Sequence, residues 1–218
     1  MTRILNSERK DALSGSARSA VVFLHGYGAD GKDLIDLANP FGMALPNATF
    51  ISPDAPHLCA MSPQGRQWFP IEEIPKGAIK ASVGLLDLIE NEAKKLNLTF
   101  KDVILIGFSQ GAMMSMQCLL INDEQIGAII GYSGSLREEN IYAADHQILE
   151  GKHKFSDTPI LLVHGEQDEV VPFQSLDKSK NLLTNIGFKV QTLSRQNLAH
   201  GIDPEGISKG MEFLKLLK

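Results

Sequence analysis

The sequence predicts an α/β fold with a mainly parallel, twisted sheet and helices on both faces. Short runs rich in β-branched residues alternate with longer segments of helical periodicity, which is typical of such folds. Most of the short runs are continuously apolar rather than alternating, as expected for parallel strands that are covered on both sides. Because 43% of the 218 residues are apolar, the chain can bury a substantial core. We therefore predict a single domain over residues 1–218.

The predicted elements follow one another in β-α order. Strands are expected at residues 19–25, 48–52, 102–107, 126–132, 159–164 and 188–194. A helix is expected at 78–98, where apolar residues recur at three- and four-residue steps, namely Ile79, Val83, Leu86, Ile89, Ala93 and Leu96. Another is expected at 172–188, which opens with a proline and has Gly187 near its end. The last helix should begin with Asp203 as N-cap and Pro204 in its first turn.

Two connections are longer than a compact α/β unit requires. The segment 53–77 is rich in proline and contains the single tryptophan of the chain, and the segment 133–158 is mostly polar. Long loops in compact domains are often lids or binding loops. We therefore interpret 53–77 as a lid-like loop.

Composition excludes several classes of protein. The net charge of −5 gives no basic face for nucleic acid. No apolar run approaches the roughly 18 residues of a membrane span, and the N-terminal stretch lacks the apolar region of a signal peptide. Cys59 and Cys118 form no metal or redox motif. These features favour a cytoplasmic protein without integral membrane association, and they give no indication of its oligomeric state.

The stretch 21-VVFLHGYGADGKDL-34 contains two phosphate-binding patterns. Gly26, Gly28 and Gly31 match the dinucleotide pattern G-x-G-x-x-G after a predicted strand, with an acidic residue, Asp54, further along. Yet Asp54 lies beyond its strand in a proline-rich loop. The same stretch resembles a Walker A loop, but Asp33 stands where that motif needs a Ser or Thr. A dinucleotide-binding oxidoreductase and a nucleotide hydrolase are therefore the weaker interpretations.

The segment 102-DVILIGFSQGAMMSMQCLL-120 predicts a nucleophilic serine. A strand leads into Gly107-Phe108-Ser109-Gln110-Gly111, and a helical segment follows. This is G-x-S-x-G in the strand-turn-helix context of the α/β-hydrolase fold. The turn is so sharp that small residues are needed on either side of the serine. It would leave the Ser109 hydroxyl at a helix N-terminus, where backbone N–H groups face developing negative charge.

A serine nucleophile needs a base, and the base needs an orienting acid. In α/β-hydrolases these follow the serine in the order acid, then histidine. Asp168 lies just past the strand 159–164, with Glu166 and Glu169 as rivals. His200 is the only histidine after these acids. The predicted triad is therefore Ser109, Asp168 and His200.

Acyl transfer also needs two N–H donors that form an oxyanion hole. One should be the backbone N–H of Gln110, which follows the nucleophile, and the other should come from an early loop. The turn 25-HGYG-28 supplies that loop, and its glycines allow the Tyr27 N–H to point at the reacting oxygen. His25 and His164 each precede a glycine at a strand end, where we expect them to organise the turn by hydrogen bonding.

The combined motifs FLHGYGADG, GFSQGAMMSM, HGEQDEVVP and AHGIDPEGI resemble those of the phospholipase/carboxylesterase family of small α/β-hydrolases, which includes acyl-protein thioesterases. The resemblance runs from about Ala20 to the C-terminus, with the motifs in family order. It implies the same triad and the same oxyanion donors. One departure is Tyr27, where the family commonly has Leu. Because the donor there is a backbone N–H, the hole should persist beside a more polar pocket wall.

The resemblance also implies a substrate pocket. The segment 67-QWFPI-71 is similar to the family's W-F stretch beside the acyl pocket, which places Trp68 and Phe69 on the substrate side. Met61 and Ile71 of the same loop are expected to add apolar surface.

The activity implied by the resemblance is hydrolysis of carboxylic esters or thioesters with short to medium acyl chains, with no metal and no cofactor. A lysophospholipid or a lipidated protein is an alternative substrate. A catalytically silent binding module on the same fold is the alternative of a different class.

Overall fold

The computed structural model describes residues 6–60 and 62–217, and its elements follow the predicted β-α alternation. The strands are β1 (Ser7–Lys10), β2 (Ser19–Leu24), β3 (Ala48–Pro53), β4 (His57–Cys59), β5 (Ser62–Gln67), β6 (Val103–Phe108), β7 (Ala128–Tyr132), β8 (Ile148–Leu149), β9 (Lys152–His153), β10 (Ile160–Gly165) and β11 (Val190–Arg195). The helices are α1 (Gly31–Leu34), α2 (Ala38–Ala44), α3 (Lys76–Lys95), α4 (Gln110–Ile121), α5 (Glu138–Tyr142), α6 (Ser175–Asn185) and α7 (Pro204–Lys215).

The central sheet has seven strands in the order β1-β3-β2-β6-β7-β10-β11. All neighbouring pairs are parallel except β1 with β3. Every predicted strand lies in this sheet. The carboxyl ends of its parallel strands meet at one edge, where ligands bind in open α/β folds. The predicted fold class is confirmed.

The edge strand β1 was not predicted. Its sequence, SERK, is polar, and none of its side chains is fully buried. It pairs antiparallel with β3, from Ser7 opposite Pro53 to Lys10 opposite Phe50. Its side chains form polar contacts, such as the ion pairs of Arg9 with Glu92 and of Lys10 with Asp36. An edge strand held by backbone pairing and polar contacts needs no apolar pattern, so sequence periodicity cannot detect it.

The sheet separates two apolar layers. Along β2, Val21 and Phe23 face one layer, while Val22 and Leu24 face the other. Helices α1, α2 and α7 cover the first face, and α3, α4, α5 and α6 cover the second. Because both faces are covered, the central strands are apolar along their whole length, as predicted.

The buried face of α3 differs from the predicted stripe. Ile89 and Ala93 are buried as expected, but Ala78, Ser82 and Leu85 replace the predicted residues nearer the helix start, and Val83 is exposed. Small residues lie there because α3 packs closely against α4, and the Sγ atom of Cys118 lies 3.9 Å from the carbonyl oxygen of Ser82. Among the described residues, no helix is both long enough and apolar enough to cross a bilayer.

The segment 53–77 is more regular than a simple loop. Strands β4 and β5 form an antiparallel hairpin, and a short 3-10 turn follows at Ile71–Glu73. Arg66 N–H donates to the Ala29 carbonyl at 2.7 Å, and Gly28 N–H donates to the Arg66 carbonyl at 2.8 Å. The hairpin is therefore fastened to the turn that follows β2.

Candidate active site

Ser109 occupies the sharp turn between β6 and α4. Its backbone lies at φ 53° and ψ −115°, a conformation that L residues rarely adopt. A Cβ atom at Gly107 would overlap the carbonyl oxygen of Gly111, and one at Gly111 would overlap the carbonyl oxygen of Leu24. The two glycines of the motif therefore permit the close backbone contacts that this turn requires.

Hydrogen bonds hold the strained serine in place. Its N–H donates to the Tyr132 carbonyl of β7 at 2.9 Å, and its own carbonyl accepts from the N–H groups of Ala112 and Met113 at 3.0 and 3.1 Å. The residue is largely buried, with 8% of its surface exposed. The backbone that carries the Ser109 hydroxyl is therefore held in place at the helix N-terminus.

His200 links this hydroxyl to a carboxylate. The ring lies in the loop after β11, with Nε2 at 2.9 Å from Ser109 Oγ and Nδ1 at 2.8 Å from Asp168 Oδ2. Because the carboxylate accepts at Nδ1, that atom carries the hydrogen, and Nε2 is left to accept the serine proton. The ring of Phe108 packs against the imidazole with centroids 4.8 Å apart.

Asp168 is held by several donors in the turn after β10. Its side chain is fully buried, and Oδ1 accepts from the N–H groups of Val170 and Val171 at 2.9 and 2.8 Å. Burial alone would raise the pKa of Asp168. The hydrogen bonds from His200, Val171 and Val170 outweigh that effect and hold the pKa below its ordinary value. The rival acids Glu166 and Glu169 are exposed.

His164 adds a contact to Asp168 that sequence reasoning missed. Its Nε2 atom lies 2.9 Å from the Val171 carbonyl oxygen and 3.3 Å from Asp168 Oδ2. Both neighbours are acceptors, so Nε2 carries the hydrogen. The residue was expected only to organise its turn, and its spacing of four residues from Asp168 was the available signal.

His25 has the structural role that the sequence suggested. Its Nδ1 lies 2.7 Å from the Gly26 carbonyl, and its Nε2 accepts from the Ala55 N–H at 3.0 Å. Burial lowers the pKa of His25 below its ordinary value, although the hydrogen bond to Gly26 opposes this. A neutral His25 therefore joins the turn after β2 to the end of β3.

The glycines of the 26–31 stretch serve the packing of this turn. Gly28 has φ 81°, and a Cβ atom at Gly31 would overlap the carbonyl oxygen of Ser52. Gly31 N–H donates to Asp54 Oδ1 at 2.9 Å. The acidic residue of the apparent dinucleotide pattern is therefore a partner of the turn itself.

A cavity of about 680 Å³ opens over Ser109 and His200. Tyr27 and Gln110, the expected oxyanion donors, lie in its wall beside the serine. Much of the remaining wall is apolar and comes from Ile71, Ile74, Phe108, Met113, Leu136, Val170, Val171 and Pro172. Polar side chains line another part, namely Arg137, Glu139, Gln174 and Lys178. The segments 135–139 and 170–178 thus contribute wall residues that the sequence did not single out.

The predicted pocket residues have different positions. Ile71 lines the cavity, whereas Met61 lies outside the described residues. Trp68 and Phe69 are not among the residues that line the cavity, and their side chains are buried in the protein core with 1% and 2% of their surface exposed. Their expected position on the substrate side stays a prediction. The backbone of both residues contacts the side chain of Gln110.

Within residues 6–60 and 62–217, no group of three or more His, Cys, Asp or Glu side chains is arranged to hold a metal ion. The chemistry available at the site is that of a hydrogen-bonded serine, histidine and aspartate beside a mainly apolar cavity.

Comparison with known proteins identifies the family. Residues 11–218 match the family described as Phospholipase/Carboxylesterase. The chain belongs to this family. A solved structure, that of esterase PE8, is 33% identical and has a TM-score of 0.88, covering 97% of this chain and 98% of that one.

Curated relatives agree with this assignment to the phospholipase/carboxylesterase family. Acyl-protein thioesterase 1 of Candida albicans is 28% identical over 222 residues, covering 95% of both chains. The Oryza sativa subsp. japonica protein named "Probable carboxylesterase Os04g0669500" is 28% identical over 210 residues, covering 89% of this chain and 76% of its own. The predictions of the family and of a hydrolase of the carboxylesterase type are confirmed.

Proposed function

We propose that this protein hydrolyses carboxylic esters or thioesters with short to medium acyl chains through an acyl-enzyme on Ser109. The observation that carries the proposal is the hydrogen-bonded series from Asp168 through His200 to Ser109, with distances of 2.8 and 2.9 Å, at the wall of a mainly apolar cavity. A serine hydroxyl needs such a base to react at neutral pH.

In the first half of the reaction, Ser109 Oγ attacks the substrate carbonyl while His200 Nε2 takes the hydroxyl proton. Asp168 keeps the imidazole in the required tautomer and stabilises its cation. The backbone N–H groups of Tyr27 and Gln110 bind the oxygen as it becomes negative. The carbon–oxygen or carbon–sulfur bond then breaks, and His200 gives its proton to the leaving alcohol or thiol.

In the second half, water attacks the acyl group on Ser109. His200 takes a proton from this water and then returns a proton to Ser109 Oγ as the ester bond to the serine breaks. The carboxylic acid product leaves, and the starting state is restored. Each step uses only groups of this chain and water.

The cavity supports the choice of acyl substrate. Its apolar part is contiguous with the reacting serine, and each buried methylene of an acyl chain contributes about 0.8 kcal/mol of binding free energy. Because the wall is apolar near Ile71 and Ile74 of the 53–77 segment, we propose that the acyl chain contacts this segment.

Two alternative substrates use the same site. Arg137 and Lys178 line the cavity and form no ion pair with a described carboxylate, which suits the phosphate of a lysophospholipid. The relative from Candida albicans is named an acyl-protein thioesterase, which favours a lipidated protein. A panel of p-nitrophenyl esters, acyl thioesters and lysophosphatidylcholine, each at several chain lengths, separates these classes.

The nucleophile is tested by Ser109→Ala with p-nitrophenyl butyrate. We expect loss of nearly all activity, because the acyl-enzyme cannot form, and we expect a fluorophosphonate probe to add one adduct on Ser109 of the wild-type protein. Ser135→Ala is the matched control, since Ser135 lines the same cavity whereas the hydrogen bond of His200 Nε2 is to Ser109 Oγ. Unchanged hydrolysis by Ser109→Ala, or an adduct on another residue, would refute the assignment. Absence of any labelling would favour the silent binding module.

A further inference from the structure

The end of the β4–β5 hairpin contacts both backbone segments that supply the expected oxyanion donors. On the Tyr27 side, the Arg66 backbone pairs with Gly28 and Ala29 through hydrogen bonds of 2.8 and 2.7 Å. A Cβ atom at Gly65 would overlap the Gly28 carbonyl oxygen, so the two backbones are in direct contact. The turn that contains Tyr27 is therefore fixed from its C-terminal side by this hairpin.

Trp68 fixes the same turn from its N-terminal side. Its indole Nε1–H donates to the carbonyl oxygen of His25 at 2.9 Å, and the two rings pack with centroids 5.3 Å apart. Tyr27 lies two residues after His25 and one before Gly28. Because one flank is held by the hairpin and the other by Trp68, which directly follows it, the peptide that precedes Tyr27 has little freedom to rotate.

The backbone of Trp68 and of the next residue, Phe69, holds the Gln110 side chain. The Trp68 backbone N–H donates to Gln110 Oε1 at 2.8 Å, and Gln110 Nε2 donates to the Phe69 carbonyl at 2.8 Å. This donor–acceptor pattern also fixes which end of the amide is oxygen. Both ends of the Gln110 amide are thus paired with backbone groups of two consecutive residues, Trp68 and Phe69.

These contacts are shielded from water. Trp68, Gln110 and His25 expose 1%, 3% and 0% of their surfaces. A buried polar group without its partner is costly, so each of these hydrogen bonds strongly favours one arrangement. One buried indole and one buried amide therefore connect the two halves of the expected oxyanion hole.

We propose that Trp68 and the side chain of Gln110 are positioning residues that set the spacing and direction of the Tyr27 and Gln110 backbone N–H groups. The proposal rests on the proposed function. Neither side chain needs to contact the substrate, because each acts through the backbone donors. An N–H donor stabilises the transition state only when it meets the oxyanion at about 2.7–3.1 Å, so a small shift is sufficient to lower the rate.

The first test is Trp68→Phe, which keeps an apolar aromatic ring but removes the indole N–H together with the five-membered ring that carries it. We expect kcat to fall roughly 10- to 100-fold, less than the 10²- to 10³-fold typical for complete loss of a donor, with KM within threefold of wild type. Affinity for a butyryl trifluoromethyl ketone, which forms a tetrahedral oxyanion on the serine, should fall by the same factor as kcat/KM. Gln110→Met, a near-isostere without polar ends, provides a second variant should Trp68→Phe fail to fold.

The control variant is Ile89→Val in α3, which loosens the same apolar layer away from the site. It should lower the melting temperature while kcat and inhibitor affinity stay within threefold of wild type. The inference is overturned if Trp68→Phe and Gln110→Met keep wild-type kcat, or if their losses appear in KM with unchanged inhibitor affinity. A wild-type protein that neither hydrolyses the ester nor reacts with a fluorophosphonate would instead refute the proposed function.

Discussion

The substitution Asp168→Asn removes the negative charge of the proposed acid and keeps the shape of its side chain. In the wild-type protein, Oδ1 accepts from two backbone N–H groups, and Oδ2 faces His200 Nδ1 at 2.8 Å and His164 Nε2 at 3.3 Å. An asparagine retains the first pair of hydrogen bonds by directing its carbonyl oxygen toward Val170 and Val171. Its NH₂ group then lies where Oδ2 was and points at His200.

The expected decrease in kcat follows from this geometry. An amide N–H facing His200 Nδ1 favours the tautomer in which Nε2 carries the hydrogen, and that imidazole cannot accept the Ser109 proton. The variant also lacks the negative charge that stabilises the imidazolium. In serine proteases the equivalent change lowers kcat about 10⁴-fold, which corresponds to about 5.5 kcal/mol of transition-state stabilisation. We expect a loss of about 10³- to 10⁴-fold here.

Steady-state hydrolysis of p-nitrophenyl butyrate and the rate of fluorophosphonate labelling measure this loss. Both should fall together, because both require deprotonation of Ser109. Glu166→Gln and Glu169→Gln are matched controls, since these neighbouring carboxylates are exposed, and each should retain wild-type rates. A loss of less than tenfold for Asp168→Asn, or an equal loss for either control, would refute the reasoning.

Two further predictions concern the cavity and the pH dependence of stability. Ile71→Ala removes apolar wall surface, so KM should rise for p-nitrophenyl octanoate while that for the acetate stays unchanged; an equal effect on both esters would contradict the expected acyl position. Burial lowers the pKa of His25 and of His153 in the folded protein, so below about pH 6.5 the unfolded chain binds more protons. The free energy of unfolding should therefore fall between pH 7.5 and 5.5, by at most about 1.4 kcal/mol per pH unit for each histidine. Urea denaturation of wild type and of a His25→Gln, His153→Gln double variant checks this, and equal pH slopes would contradict it.

Much of the candidate site could be predicted from sequence because its parts are local. The G-x-S-x-G turn is encoded within five residues, and the overlaps that a Cβ atom would create at Gly107 and Gly111 explain why it needs glycine there. Asp168 and His200 each follow a strand, and parallel strands end at a common edge of the sheet. Chain order and strand ends were therefore sufficient to nominate the three side chains that the structure brings within hydrogen-bond distance.

The contacts of the Trp68 side chain could not be predicted in this way. A resemblance places the residue in a loop beside the pocket, but it does not say which side of that loop faces the pocket. The decisive contacts are to His25 and Gln110, which lie 43 and 42 residues away along the chain. The buried face of α3 was misjudged for a related reason, because close packing against α4 selects small side chains over large apolar ones.

The sequence by itself determined the order of strands and helices, the G-x-S-x-G turn and the candidate nucleophile, acid and base, since each depends on short-range sterics, periodicity or chain order. Only the tertiary structure decided which side chains surround the cavity, that His164 contacts Asp168 and that Trp68 is hydrogen-bonded to both His25 and Gln110. Those features depend on contacts between segments distant in sequence. Burial and hydrogen-bond pairing fix such contacts only when the whole chain has folded.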